Sequence, residues 1–180
     1  MKNDNIDMIY KKRTVEKVKK ETEYNMKECY RNSMLFLRKT TAEINQHKIS
    51  NSESIMVDGL LKIEEKAYAD NLNECIKILD ENKANRKTTR ICREYFEQIA
   101  TEREKAVCVI LRQYVSDDDL SETSKIKIEV LKGNLINIAN REFDKYTIKC
   151  ISKYNIITMI LAIIGALGSV ISIIEWILGE

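Results

Sequence analysis

The chain has 180 residues, with 30 Lys+Arg against 28 Asp+Glu, five Gly and no Pro. That length fits one folded domain. The scarcity of Gly and Pro excludes collagen-like and turn-rich all-β architectures, and the recurrence of Ile, Leu and Val excludes disorder throughout. A net charge of +2 is too small to argue for nucleic acid as a partner.

Helices remain, and polar punctuation divides them. Residues 6–45 carry Val15, Val18, Thr22, Met26, Cys29, Ser33, Leu37, Thr40 and Ile44 at spacings of three and four, an apolar-to-small stripe along one helical face. A polar loop follows, and Ser50-Asn51-Ser52-Glu53 has the pattern of a capping box opening a second helix. That helix shows Met56, Leu60, Ile63, Ala67, Leu72, Cys75 and Leu79. Residues 80–90 have one apolar side chain, Ala84, and predict a turn. The third stripe is Cys92, Phe96, Ile99, Arg103, Ala106, Ile110 and Tyr114. Acidic and hydroxyl residues at 116–124 suit the N-terminal dipole of a fourth helix, striped by Ile128, Leu131, Leu135, Ile138, Phe143, Tyr146 and Cys150. Short connections between long helices predict an all-α, antiparallel bundle of about four helices over residues 1–153. Segment charges alternate as neighbours would: residues 1–48 carry +5 (12 basic, 7 acidic), 49–82 carry −5 (3 and 8), and 83–116 carry +4 (8 and 4).

The C-terminal stretch differs in kind. Residues 154–174 run 21 positions without a charge, about 31 Å of helix against a hydrocarbon core of about 30 Å. Nothing after Lys149 breaks a helix, so the fourth helix is expected to continue into a transmembrane anchor over 154–178. Lys145, Lys149 and Lys153 precede the run, and Glu175, Trp176 and Glu180 follow it. That asymmetry predicts a single pass with the N-terminal side cytoplasmic, as in a tail-anchored protein. The N-terminus lacks the apolar core of a signal peptide. Five cysteines with no C-x-x-C pair suit reduced thiols in a cytosolic compartment.

An up-and-down bundle whose fourth helix ends at a membrane brings the start of helix one and the turn between helices two and three to the same end. Those places hold Lys11, Lys12, Arg13, Lys17, Lys19 and Lys20; Lys83, Arg86, Lys87 and Arg90; and Lys145, Lys149 and Lys153. The expectation is a basic base against anionic headgroups, with Glu53, Asp117, Asp118, Asp119 and Glu122 at the opposite end.

Catalytic signatures are poor. His47 is the only histidine, no phosphate-binding glycine loop occurs, and Glu64-Glu65 lacks the Glu-x-x-His partner of a di-iron bundle. The three consecutive aspartates fit a helix N-terminus better than a metal loop. No enzyme, cofactor or metal is expected. Within the anchor, Asn155, Thr158, Ala162, Gly165, Ser169 and Ser172 recur every three or four residues on one face, with large aliphatics elsewhere. Small residues in a stripe let helices approach closely, and hydroxyls bond across them. The expected function is association: a tail-anchored homo-oligomer whose bundle recognises a cytosolic protein partner or signal. The alternative is a membrane-permeabilising effector with the stripe turned towards a water-filled lumen. A second alternative is an enzyme whose site lies in the helical bundle and matches no recognised motif.

Overall fold

With no proline and no glycine before Gly59, nothing in the first part of the chain interrupts a helix. In the computed structural model, α1 spans Lys2–His47, longer at both ends than the stripe predicts. Then come α2 (Ser52–Glu81), α3 (Arg86–Leu111) and α4 (Glu122–Leu178). The structure describes the backbone of residues 2–47, 52–116 and 120–178, and the side chains of 12–47, 53–116 and 120–164. Among these residues no strand occurs.

Side-chain pairing gives the topology. Lys17 reaches Glu81 (3.9 Å) and Ser33 reaches Glu64 (3.2 Å), so α1 numbers rise as α2 numbers fall, and the two helices are antiparallel. Tyr68 donates to the Phe96 carbonyl (3.0 Å) and Arg103 bonds Glu64 (2.6 Å), which makes α2 and α3 antiparallel as well. Ser121 with Glu53, Lys127 with Asp58, and Asn134 with Glu65 keep a separation of 68 or 69 residues, so α4 runs parallel to α2. The result is the up-down-up-down packing expected from short connections.

The turns explain how helices without proline stop. At the end of α2, Lys83 adopts a left-handed conformation (φ 46°). The Ala84 N–H reaches the Leu79 carbonyl (2.9 Å) and the Lys83 N–H the Asp80 carbonyl (3.1 Å), the paired bonds of a Schellman stop. Asn85 then caps α3 by accepting from the Thr88 N–H (3.0 Å). Ser121 caps α4 by accepting from the Ser124 N–H (3.2 Å). The expected capping box of α2 lies partly on Ser50 and Asn51, outside the described residues; its Glu53 accepts instead from the Ser121 hydroxyl (3.3 Å) and ties two helix starts together.

Two compact units result, residues Met1–Phe143 and Asp144–Glu180. The core of the first contains Leu37, Leu60, Tyr68, Leu72, Phe96, Leu135 and Phe143, each at most 0 % exposed. Phe96 packs edge-on against Tyr68 (5.5 Å between ring centroids) and Phe143 (6.0 Å). Burying each such side chain contributes roughly 1.5–3 kcal/mol. The stripe read for α2 needs correction. Ile63 and Ala67 are only half-buried, whereas Glu64, Tyr68, Asn71 and Ile78 are buried. Because α2 contacts α1, α3 and α4 at once, its buried face is too wide for one stripe to define. The second unit is the C-terminal part of α4, a single helix.

Candidate functional site

The first candidate is the apolar part of α4. Every described side chain from residue 151 to 164 is exposed, including Tyr154, Ile160, Leu161 and Ile164. By length and composition α4 is the one helix among the described residues long and apolar enough to cross a membrane, and none of its apolar window is buried in the protein. Asn155, Thr158 and Ala162 share one exposed face, as the spacing predicts. The Thr158 hydroxyl donates to the Tyr154 carbonyl (3.0 Å), an internal partner that needs no water. Gly165, Ser169 and Ser172 continue the helical backbone, but their side chains lie outside the described residues.

The second candidate is the basic end of the bundle. The antiparallel α1–α2 register and the α2–α3 turn bring Lys12, Arg13, Lys17, Lys19 and Lys20 to the same end as Lys83, Arg86, Lys87 and Arg90, and all nine are exposed. Lys11 belongs with them in sequence; its side chain is outside the described residues. The end is not purely basic. Glu81 pairs with Lys17, and Glu94 with Arg90 at 3.4 Å. Lys19 stands over the Tyr95 ring, 5.2 Å from its centroid. Lys145, Lys149 and Lys153 belong to the second unit and are exposed there.

A third feature was not expected as a unit. Inside the bundle, Arg103 of α3 grips Glu64 of α2 with two bonds, Nε to Oε2 (2.6 Å) and Nη2 to Oε1 (2.5 Å). The Ser33 hydroxyl of α1 donates to the same carboxylate (3.2 Å), and Arg103 Nη2 also reaches Cys29 Sγ (3.7 Å). The Glu64 side chain is 0 % exposed and that of Arg103 is 9 %. Burial disfavours the guanidinium charge, yet the bonds and charge of Glu64 outweigh it and raise the Arg103 pKa. Burial first, and then the charge of Glu64, push the Cys29 thiol up to about 12, so at neutral pH it is a protonated, unreactive core group. One signal in the sequence pointed here. An arginine in a stripe between Ile99 and Ile110 is a buried charge that requires a carboxylate from another helix.

A cleft of about 290 Å³ opens beside this layer, lined by Met26, Tyr95, Ile99 and Arg103 with Glu23, Lys27 and Glu102. Charges of both signs surround its one aromatic ring, so they converge on no single ligand. No protein-family model, characterised protein or solved structure matches the chain. Function therefore has to be argued from these sites.

Proposed function

We propose that this chain is a single-pass membrane protein. Its apolar α4 segment lies in a bilayer, its helical bundle stays on the cytoplasmic side, and it works by association rather than catalysis. One observation carries the reading: an uncharged helical run whose described residues, 154–164, are all exposed instead of being wrapped by the bundle. An apolar surface of that length in water is an aggregation liability, and lipid is the environment that removes it. Lys145, Lys149 and Lys153 immediately before the run support a cytoplasmic bundle by the positive-inside rule. The stripe from Asn155 through Ser172 is the surface proposed for contact with further copies, and the exposed bundle faces are where a cytosolic partner binds.

Alkaline carbonate extraction of membranes from expressing cells tests the anchor. The protein is expected to stay with the lipid, its bundle digested by protease added from the cytoplasmic side. Release into the supernatant, or a monodisperse full-length protein in detergent-free buffer, overturns the reading. A second reading, a membrane-permeabilising assembly, is favoured by Asn155, which puts an amide on a largely apolar surface. Polar groups at such positions face protein or water. Loss of membrane potential on expression, abolished by Gly165→Leu, selects the pore; an intact potential with a multimeric detergent-solubilised complex selects the scaffold.

A further inference from the structure

We infer that the end of the bundle formed by the start of α1 and the α2–α3 turn is a docking surface for an anionic bilayer. This rests on the membrane reading above and names the lipid it engages. Residues 12–21 and 80–94 hold ten Lys+Arg and five Asp+Glu, so the end keeps an excess of cations after the Lys17–Glu81 and Arg90–Glu94 pairs are counted. Those pairs are exposed and weak, and they leave Lys12, Arg13, Lys20, Lys83, Arg86 and Lys87 available to phosphate oxygens. Lys83 occupies the tip of the turn, in the left-handed position where a glycine is usual. A lysine there accepts backbone strain and adds an exposed cation to the turn.

Chain connectivity gives the second support. Phe143 packs on Phe96 and lies beneath the Arg93 guanidinium (5.7 Å from its centroid), so α4 leaves the bundle at the end where α3 begins, which is the basic end. From Phe143 to Tyr154, where the uncharged run starts, is at most about 16 Å of helix. That stretch is short in sequence, 11 residues from Phe143 to the first residue of the uncharged run. Lys145, Lys149 and Lys153, at intervals of four on the connecting stretch, extend the same chemistry. A partner presenting many phosphates on one plane suits a broad set of flexible cations, whereas a single soluble anion needs a convergent pocket, and the cleft beside the Arg103 layer is lined by none of the cations named here.

The test uses full-length protein reconstituted into two kinds of vesicle: phosphatidylcholine alone, and phosphatidylcholine with phosphatidylglycerol at about seven to three. Lysine acylation by a soluble active ester is then read residue by residue by mass spectrometry. In the anionic vesicles, labelling of Lys83 and Lys87 is expected to slow about fivefold relative to the neutral ones, and to recover in high salt. Lys39, whose side chain is 80 % exposed on the far half of α1, should label equally in both. Retention of the protein after carbonate washing with equal labelling of Lys83 and Lys87 in the two lipids overturns the docking surface alone. Loss of the protein from both vesicles overturns the anchor, and the docking inference falls with it.

Discussion

The bundle and the apolar part of α4 have the same secondary structure and opposite rules of exposure. In the bundle, charges occur within almost every turn, a core of aliphatic side chains is buried with only scattered ones such as Leu35 and Val109 outside, and even a charged pair is taken into the interior provided it is fully bonded. Between residues 154 and 174 no charge occurs, and the large aliphatics Ile156, Ile157, Ile160, Leu161 and Ile164 all face outward. Helix geometry is indifferent to that choice. The solvent is not, and the proposed bilayer reading accounts for the contrast by giving the two parts of α4 different solvents.

The largest expected effect attacks the bundle side of the contrast. Arg103→Ala leaves the Glu64 carboxylate buried with only the Ser33 hydroxyl and the Cys29 thiol for company, and is expected to cost about 3–5 kcal/mol in denaturant unfolding of the detergent-solubilised protein. The double variant Glu64→Leu/Arg103→Met removes both charges and is expected to be neutral or more stable than the parent. A single variant as stable as the parent would show that the pair is hydrated and the interior less dry than the structure depicts.

On the other side, Ile164→Arg puts a cation near the middle of the uncharged run. At roughly 2.5–3.5 kcal/mol on the insertion scale, it should shift much of the protein into the carbonate-soluble fraction. The same substitution on an exposed face of a soluble helix would leave solubility and bundle stability nearly unchanged. Comparing the two measurements on one variant therefore separates a lipid-facing surface from a water-facing one.

Smaller effects test how packing varies within the bundle. An added Cβ at Gly133 of α4 meets nothing within 4 Å, so Gly133→Ala should gain about 1 kcal/mol from helix propensity alone. At Gly59 of α2 the same methyl runs into the Phe36 ring of α1, which must withdraw. Gly59→Ala is expected to lose about 1 kcal/mol net, overpacking outweighing propensity. Equal gains at both sites would mean that the α1–α2 seam is loose.

What the sequence made legible follows from which forces are local. Helix existence, the turn at 82–85 and the stripe of α1 were readable, because capping and three-to-four spacing are properties of neighbouring residues. Val18, Thr22, Cys29, Ser33, Leu37 and Thr40 are indeed buried. The basic end was readable once an antiparallel topology was assumed. The Glu64–Arg103–Ser33–Cys29 layer was not assembled, since its members come from three helices and 74 residues separate Cys29 from Arg103. Asn71, whose Oδ1 has no partner among the described residues, was equally hidden; its amide nitrogen donates to the Ala67 carbonyl (2.7 Å), and no periodicity marks the burial of Oδ1.

One further substitution joins the two halves of the contrast. Lys83 holds a left-handed conformation that costs a non-glycine residue about 1–2 kcal/mol, while glycine there gives back part of the gain through its greater freedom when unfolded. Lys83→Gly should therefore stabilise the bundle by about 0.5–1 kcal/mol in denaturant unfolding. It also removes an exposed cation from that turn at the basic end, so affinity for anionic vesicles should fall by about fivefold. Stability and lipid engagement are expected to move in opposite directions on one variant, which no loss of folding can imitate. If both rise together, the lysine stands in that turn for a reason unrelated to the membrane.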